Sequence, residues 1–226
     1  MLPDFAFLAE TTGKLLAGLP LTLTLAFGSV AAGAVLALLL ALLRGSSRVG
    51  GWLVRAYVFA FRGSPLLVQL FLLYYGLSQF PAVRQSVLWP FLRQPFWCAI
   101  LALSLNAAAY GSEVIRGGLR AVPAGPVEAA RALGLSRLRL YRLVVLPLAL
   151  RQALPAYGNE VVIMVKSTAL ASVVTLMEMT GIAHAIIGET FRALEVFLCA
   201  GAIYLALNAL IARGVGALER RLSPGV

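Results

Sequence analysis

The sequence is short of charge and nearly empty of reactive side chains. Among 226 residues there are nine Asp and Glu, one His and two Cys, and charged residues make up only 12% of the chain. Cys98 and Cys199 lie in apolar surroundings without a spacing that suggests a metal or redox motif, so they read as small core or lipid-facing residues. The lone histidine, His184, reads as a surface or packing residue. No Ser/His/Asp set, zinc spacing or carboxylate pair offers catalytic chemistry, and no metal or catalytic residue is assigned. A phosphate-cradling P-loop is missing as well, so the chain is expected to bind no cofactor and to hydrolyse no ATP itself. The first apolar run lacks a basic lead and a small-residue cleavage site, and reads as a retained helix. Without an internal repeat, low-complexity stretch or linker, residues 1–226 read as one domain.

What the chain has is apolar length. It is 61% hydrophobic with a mean hydropathy of +0.90, values outside ordinary globular composition, and it reads as an integral membrane protein in contact with lipid. The net charge of +10 does not point to nucleic acid, because the basic residues fall in short loops between apolar spans while the aromatics lie mostly inside them.

Five spans are expected, each near the roughly 20 residues needed to cross about 30 Å of hydrocarbon. They are Leu15–Leu43, a stretch within Ala56–Phe80, about Phe96–Ile115, a stretch after Arg151 and Pro155 to about Leu176, and about Ala193–Val215. Residues 1–14 read as an amphipathic or interfacial lead-in, and Glu178–Arg192 as an outer excursion. Gly63 and Pro65 are expected to bend or restart the second span where protein neighbours satisfy the freed carbonyls. Gly28, Gly33 and Gly201 read as small residues at helix crossings. This topology puts fourteen of the nineteen Lys and Arg on one side, with Lys14, Arg84, Arg93 and Arg192 on the other and Lys166 within a span. The basic side is cytoplasmic by the positive-inside rule, which sets the N-terminus outside and the C-terminus inside.

Polar residues at hydrocarbon depth are costly and mark candidates for function. The fourth span holds Asn159, Glu160, Lys166, Ser167 and Thr168. At 100° per residue Asn159 and Lys166 fall within about 20° of each other, as do Glu160 and Ser167, giving a polar sector of roughly 120°. Glu160 and Lys166 are about 9 Å apart along the axis, too far to pair on one helix, so each needs another partner. The expected role is a translocation path for a zwitterionic or charged solute. The third span carries a second stripe, Asn106, Tyr110 and Glu113, of which Glu113 can pair with Arg116.

The most polar ordered stretch, Val127–Pro147, lies in a basic loop at about residues 116–151. Pro126 suits a first helical position and Glu128 a first turn. Gly134 suits a left-handed helix stop, and Ser136 an N-cap for a second helix through Arg137, Arg139 and Arg142. The loop reads as helix, glycine, helix.

Its spacing runs Glu128-Ala129-Ala130, three residues, Gly134, nine residues, Val144-Val145-Leu146-Pro147. This resembles the EAA loop of ABC-type importer permeases, with Val144 in place of an isoleucine. Arg62-Gly63-Ser64-Pro65, Asn106 through Glu113 and Leu154 through Glu160 are similar to the polar amino acid subfamily, which includes histidine, arginine, lysine, ornithine and opine permeases. The resemblance covers about residues 18–222. It implies an all-α permease of the type I importer architecture in a bacterial inner membrane, working with a second similar or identical permease, two ABC ATPase subunits and an extracytoplasmic solute-binding protein. ATP and Mg2+ would then belong to the ATPases, and Glu128, Ala129, Ala130 and Gly134 would meet the ATPase groove. An ion-coupled secondary amino acid transporter is the competing reading, disfavoured by few spans and no repeated half. A membrane enzyme or structural channel lacks the residues it would need.

Overall fold

The computed structural model describes residues 4–222; residues 1–3 of the expected lead-in and 223–226 of the tail lie outside the described residues. Among the described residues there are helices, turns and no strand. In chain order the helices are α1 (Phe5–Ala17), α2 (Leu19–Ser46), α3 (Arg48–Gly63), α4 (Leu66–Phe71), the short α5 (Pro81–Arg84) and α6 (Trp89–Leu92), α7 (Pro95–Arg120), α8 (Ala124–Ala132), α9 (Arg137–Leu140), α10 (Leu146–Ser167), α11 (Met179–Thr190) and α12 (Ala193–Leu222). π-helical turns join α4 onward over Leu72–Gly76 and α9 to α10 over Tyr141–Val145, and a 3₁₀ segment, Thr168–Val174, continues α10.

Three helical stretches are long and apolar enough to cross a bilayer: Phe5–Ser46, Pro95–Arg120 and Ala193–Arg221. The second and fourth expected spans are instead bent pairs, so a count of five requires each pair to be one span. Arg48–Gly63 meets Leu66–Gln79 at 106°, and Arg137–Val174 meets Met179–Thr190 at 49°. The first span also begins earlier than Leu15, because Asp4 caps α1 by accepting from the Phe7 N–H (3.1 Å) and the helix carries on through Gly18. The fourth begins at Leu146, ahead of Arg151, with Pro155 inside the helix. The proline in its first turn is Pro147, where a missing N–H costs nothing, and Pro155 falls more than two turns further in.

The 106° bend follows from Gly63-Ser64-Pro65, and its loose backbone groups are satisfied by two side chains. Gln69, buried, donates through Nε2 to the carbonyls of Phe61 (2.7 Å) and Ser64 (3.0 Å) and to Ser64 Oγ (2.9 Å). Its Oε1 accepts from Asn106 Nδ2 on α7 (3.0 Å). Where no water is available, such internal partners are what permit a broken helix.

The bundle is centred on α2 against α7, its most extensive helix pair, with α10 packed on α7. Close approach is built from small residues. A Cβ on Gly33 would lie 2.6 Å from Ala107 Cβ and 3.1 Å from the Ser104 carbonyl, and one on Gly28 would lie 3.2 Å from Ile100 Cδ1. Gly201 faces open space, so the expected crossing there is not made. One apolar core joins Leu25, Leu70, Ala99, Ala102, Leu103, Met164, Ala171 and Val174. A second ties α1 to α11 and α12 through Leu15, Ala183, Ile186, Val196 and Ala200. At the rim of this second core Arg192 pairs with Asp4 (3.0 Å) and Glu195 (3.1 Å) and covers the Phe7 ring at 3.8 Å. The Phe7 N–H, and then Arg192, hold the Asp4 carboxyl below its ordinary range. His184 is exposed beside the Phe197 ring (5.8 Å), a packing role as expected.

Candidate coupling knob and translocation path

The loop between α7 and α10 folds as helix, glycine, helix. Helix α8 starts at Ala124 rather than Pro126, with extended Pro123 before it. Pro126 is then the third helical residue, where a missing N–H still costs nothing because the first four amides have no partner within the helix. Glu128 consequently sits beyond the first turn. Gly134 stops the helix at φ +73°, as its position predicts. Its N–H donates to the Arg131 carbonyl (2.9 Å) and the Leu135 N–H to that of Ala130 (3.2 Å), the paired bonds of a Schellman ending. Ser136 precedes α9 in extended conformation, but its side chain makes no capping bond; only its carbonyl accepts, from the Leu140 N–H (2.8 Å).

This gives a firm knob with an open surface. Ala130 and Leu140 are each 5% exposed and form its interior, whereas Leu133 and Leu138 are 80% and 78% exposed. Glu128, Ala129 and Gly134 are exposed as well. Of the four residues expected to meet a partner, Ala130 alone is turned inward. At the root, a Cβ on Gly118 of α7 would lie 2.6 Å from the Ala149 carbonyl and 2.8 Å from Ala153 Cβ on α10. The two helices that carry the knob therefore touch backbone to backbone. Nearby, Glu113 pairs with Arg116, as expected, and also with Arg44 of α2.

The five polar residues of the fourth span do not share one surface. Asn159 and Lys166 are exposed; Asn159 lines a groove of about 260 Å³ against Ala212, Val215 and Glu219 of α12. Glu160 is half-buried in a narrow cleft with Val30, Ala107, Tyr157 and Met164. Ser167 Oγ bonds back to the Ile163 carbonyl (2.9 Å). Thr168 is wholly buried, with Oγ1 donating to the Val165 carbonyl (2.7 Å), so it points into the bundle and lies outside the expected sector. Among the described residues neither Glu160 nor Lys166 makes an ion pair. The cation within electrostatic reach of Glu160 is Arg62, whose guanidinium lies 4.9 Å from the centre of the Tyr110 ring. Sequence reasoning counted Arg62 as a topological charge and as part of the subfamily resemblance, and not as a path residue. Its place directly before the Gly-Ser-Pro break was the available signal, since α3 ends there with Arg62 over Tyr110 of α7.

Glu178 was also missed. Expected in an outer excursion, it is 0% exposed at the start of α11. Its carboxylate accepts from the Gly181 N–H (2.9 Å) and the Tyr204 hydroxyl (2.9 Å).

The chain is thus a helical membrane protein with an exposed knob rooted between two of its helices. More narrowly, the chain belongs to the binding-protein-dependent transport system inner membrane components, whose family matches residues 15–224. It is 58% identical over 224 residues to the octopine transport system permease protein OccM of Rhizobium meliloti, covering 98% of this chain and 91% of that protein. Identity is 50% over 223 residues with the nopaline transport system permease protein NocM of Agrobacterium fabrum, covering 98% and 92%. With the arginine ABC transporter permease protein ArtM of Escherichia coli K12 it is 44% over 171 residues, covering 75% and 76%. The crystal structure of an amino acid ABC transporter with histidines superposes with a TM-score of 0.87 at 35% identity, over 98% of this chain and 100% of that one. These matches bear out the permease resemblance, its type I importer fold and its place in the inner membrane.

Proposed function

We propose that this chain forms the solute path of an ATP-driven importer for basic amino acids or opines, with five spans, the N-terminus outside and the knob and C-terminus in the cytoplasm. It works beside a second similar or identical permease, on two ABC ATPases that hold the ATP and Mg2+, and below an extracytoplasmic binding protein. The observation that carries this reading is the knob, in which Gly134 ends α8 at φ +73° and leaves Glu128 and Ala129 exposed on a stem locked at Gly118. A rigid protrusion of this kind transmits a push instead of absorbing it, and ATPase closure then biases the bundle between two states.

For the solute, Glu160 and Arg62 are the opposed charges that the geometry favours. Octopine, nopaline and arginine each combine a guanidinium with carboxylate, so Glu160 meets the cation and Arg62 the anion. Exposed Asn159 and Lys166 supply the further polar surface, whereas Ser167 and Thr168 contribute less because their hydroxyls turn back on their own helix. Loss of one charge-assisted hydrogen bond, worth about 1.5–3 kcal/mol, corresponds to roughly 10- to 100-fold in binding. Glu160→Gln and Arg62→Met, in complexes reconstituted in vesicles with their ATPases, are expected to raise KM by that factor, and Lys166→Met by less. Parent kinetics in all three would remove the path from these residues. Uptake that continued without ATP and without ATPase would instead favour ion-coupled secondary transport.

A further inference from the structure

We infer that the 3₁₀ segment Thr168–Val174 is the hinge of α10, and that Glu178 is the positioning residue that holds the hinge's far end still. The knob-bearing stretch runs without a sharp bend from Arg137 to Val174, and its last seven residues are 3₁₀. Short 3₁₀ turns are ordinary at helix ends, but a run of this length is uncommon and has poorer hydrogen bonds than α-helix, so it yields before α10 or α11 does. The segment ends at Thr175 with φ 66°, a left-handed conformation that a β-branched residue adopts only under constraint.

The constraint lies just beyond. The Glu178 carboxylate binds the Gly181 N–H within α11 and the Tyr204 hydroxyl of α12, and that hydroxyl is 3.2 Å from Thr180 Oγ1. The neighbouring Met179 N–H donates to Thr22 Oγ1 of α2 (3.3 Å). There is no slack in this junction, because a Cβ on Gly18 would lie 2.7 Å from Met179 N. One carboxylate thus ties α11 to α12, beside the Met179 tie to α2, and its removal strands the buried Gly181 N–H and leaves the Tyr204 hydroxyl with Thr180 alone. With the far end of the 3₁₀ segment fixed and the near end joined to the knob, displacement of α10 is taken up between them. Glu178 touches neither solute nor ATPase and acts through the position of α10.

This inference rests on the knob being driven by ATPase, and does not depend on which residues line the path. The test uses the complete complex in vesicles, reading uptake KM and kcat together with ATP hydrolysis. Glu178→Leu is expected to lower kcat for uptake about tenfold with KM within twofold of the parent, while ATP hydrolysis persists, so that ATP consumed per solute rises. Tyr204→Phe should show the same split to a smaller degree. Glu178→Gln should restore most of the rate, since its amide still accepts from Gly181 and can donate to a reoriented Tyr204 hydroxyl. Parent kcat in both Glu178→Leu and Tyr204→Phe would overturn the inference, as would a rise in KM with ATP coupling intact. If Glu178→Leu fails to assemble, Tyr204→Phe, which removes one hydroxyl, decides the matter. Loss of the path assignment is read separately, from the KM values of Glu160→Gln and Arg62→Met.

Discussion

At the scale of single residues, the knob depends on what only glycine accepts cheaply. Gly134 sits at φ +73° with open space around a would-be Cβ, so a substitution there is penalised by backbone strain and not by collision. For an alanine the left-handed region costs about 1–2 kcal/mol, whereas asparagine visits it more readily. Gly134→Ala is therefore expected to weaken ATPase binding by about tenfold in a pull-down titration, and Gly134→Asn by clearly less; equal effects from the two would show that the conformation is not what matters. Gly134 was legible in the sequence because its requirement is local. Glu178 and Arg62 were not, because their partners come from distant parts of the chain: Tyr204 lies on α12, Tyr110 on α7 and Glu160 on α10. Hydropathy reads a lone acid in an apolar run as a loop and an arginine beside a span as a topological marker.

At the scale of elements, sequence reasoning found where helices break more reliably than how sharply. Gly63-Ser64-Pro65 announces an interruption, but the 106° turn is held by Gln69 and Asn106, which supply the donors the break needs. Gln69→Leu removes the donor for the Ser64 carbonyl and the better of the two bonds to the Phe61 carbonyl, and leaves Asn106 Nδ2 with only its long bond to Phe61 (3.4 Å). Each buried group left unpaired costs about 1–3 kcal/mol, so the variant is expected to melt several degrees below the parent in detergent. Adding Asn106→Leu should cost less than its effect alone, because the two residues share one network; strict additivity would contradict the shared role. The start of α8 was misplaced by two residues for a related reason: proline is tolerated through the whole first turn and marks a helix beginning only to within that turn. Pro155 within α10 is the converse, a breaker overridden by its surroundings.

At the scale of the molecule, composition alone declared a membrane protein, and the spacing from Glu128 to Pro147 carries the proposal of how it is moved. The tertiary arrangement adds the mechanical connection between the two. A knob with exposed Leu133 and Leu138 hangs from α7 and α10, these helices touch at Gly118, and α10 runs on past Glu160 to the anchored junction at Glu178. Under the proposed function, force applied at the knob reaches Glu160 along one helix. The most direct measurement of this account is ATP-dependent uptake and ATPase retention, side by side, for complexes carrying Glu128→Arg, a reversal of charge on the exposed face of the knob far from the path. The account predicts that ATPase retention and uptake fall together, while solute binding to the permease is unchanged. Parent-level uptake with the ATPases still bound would contradict it.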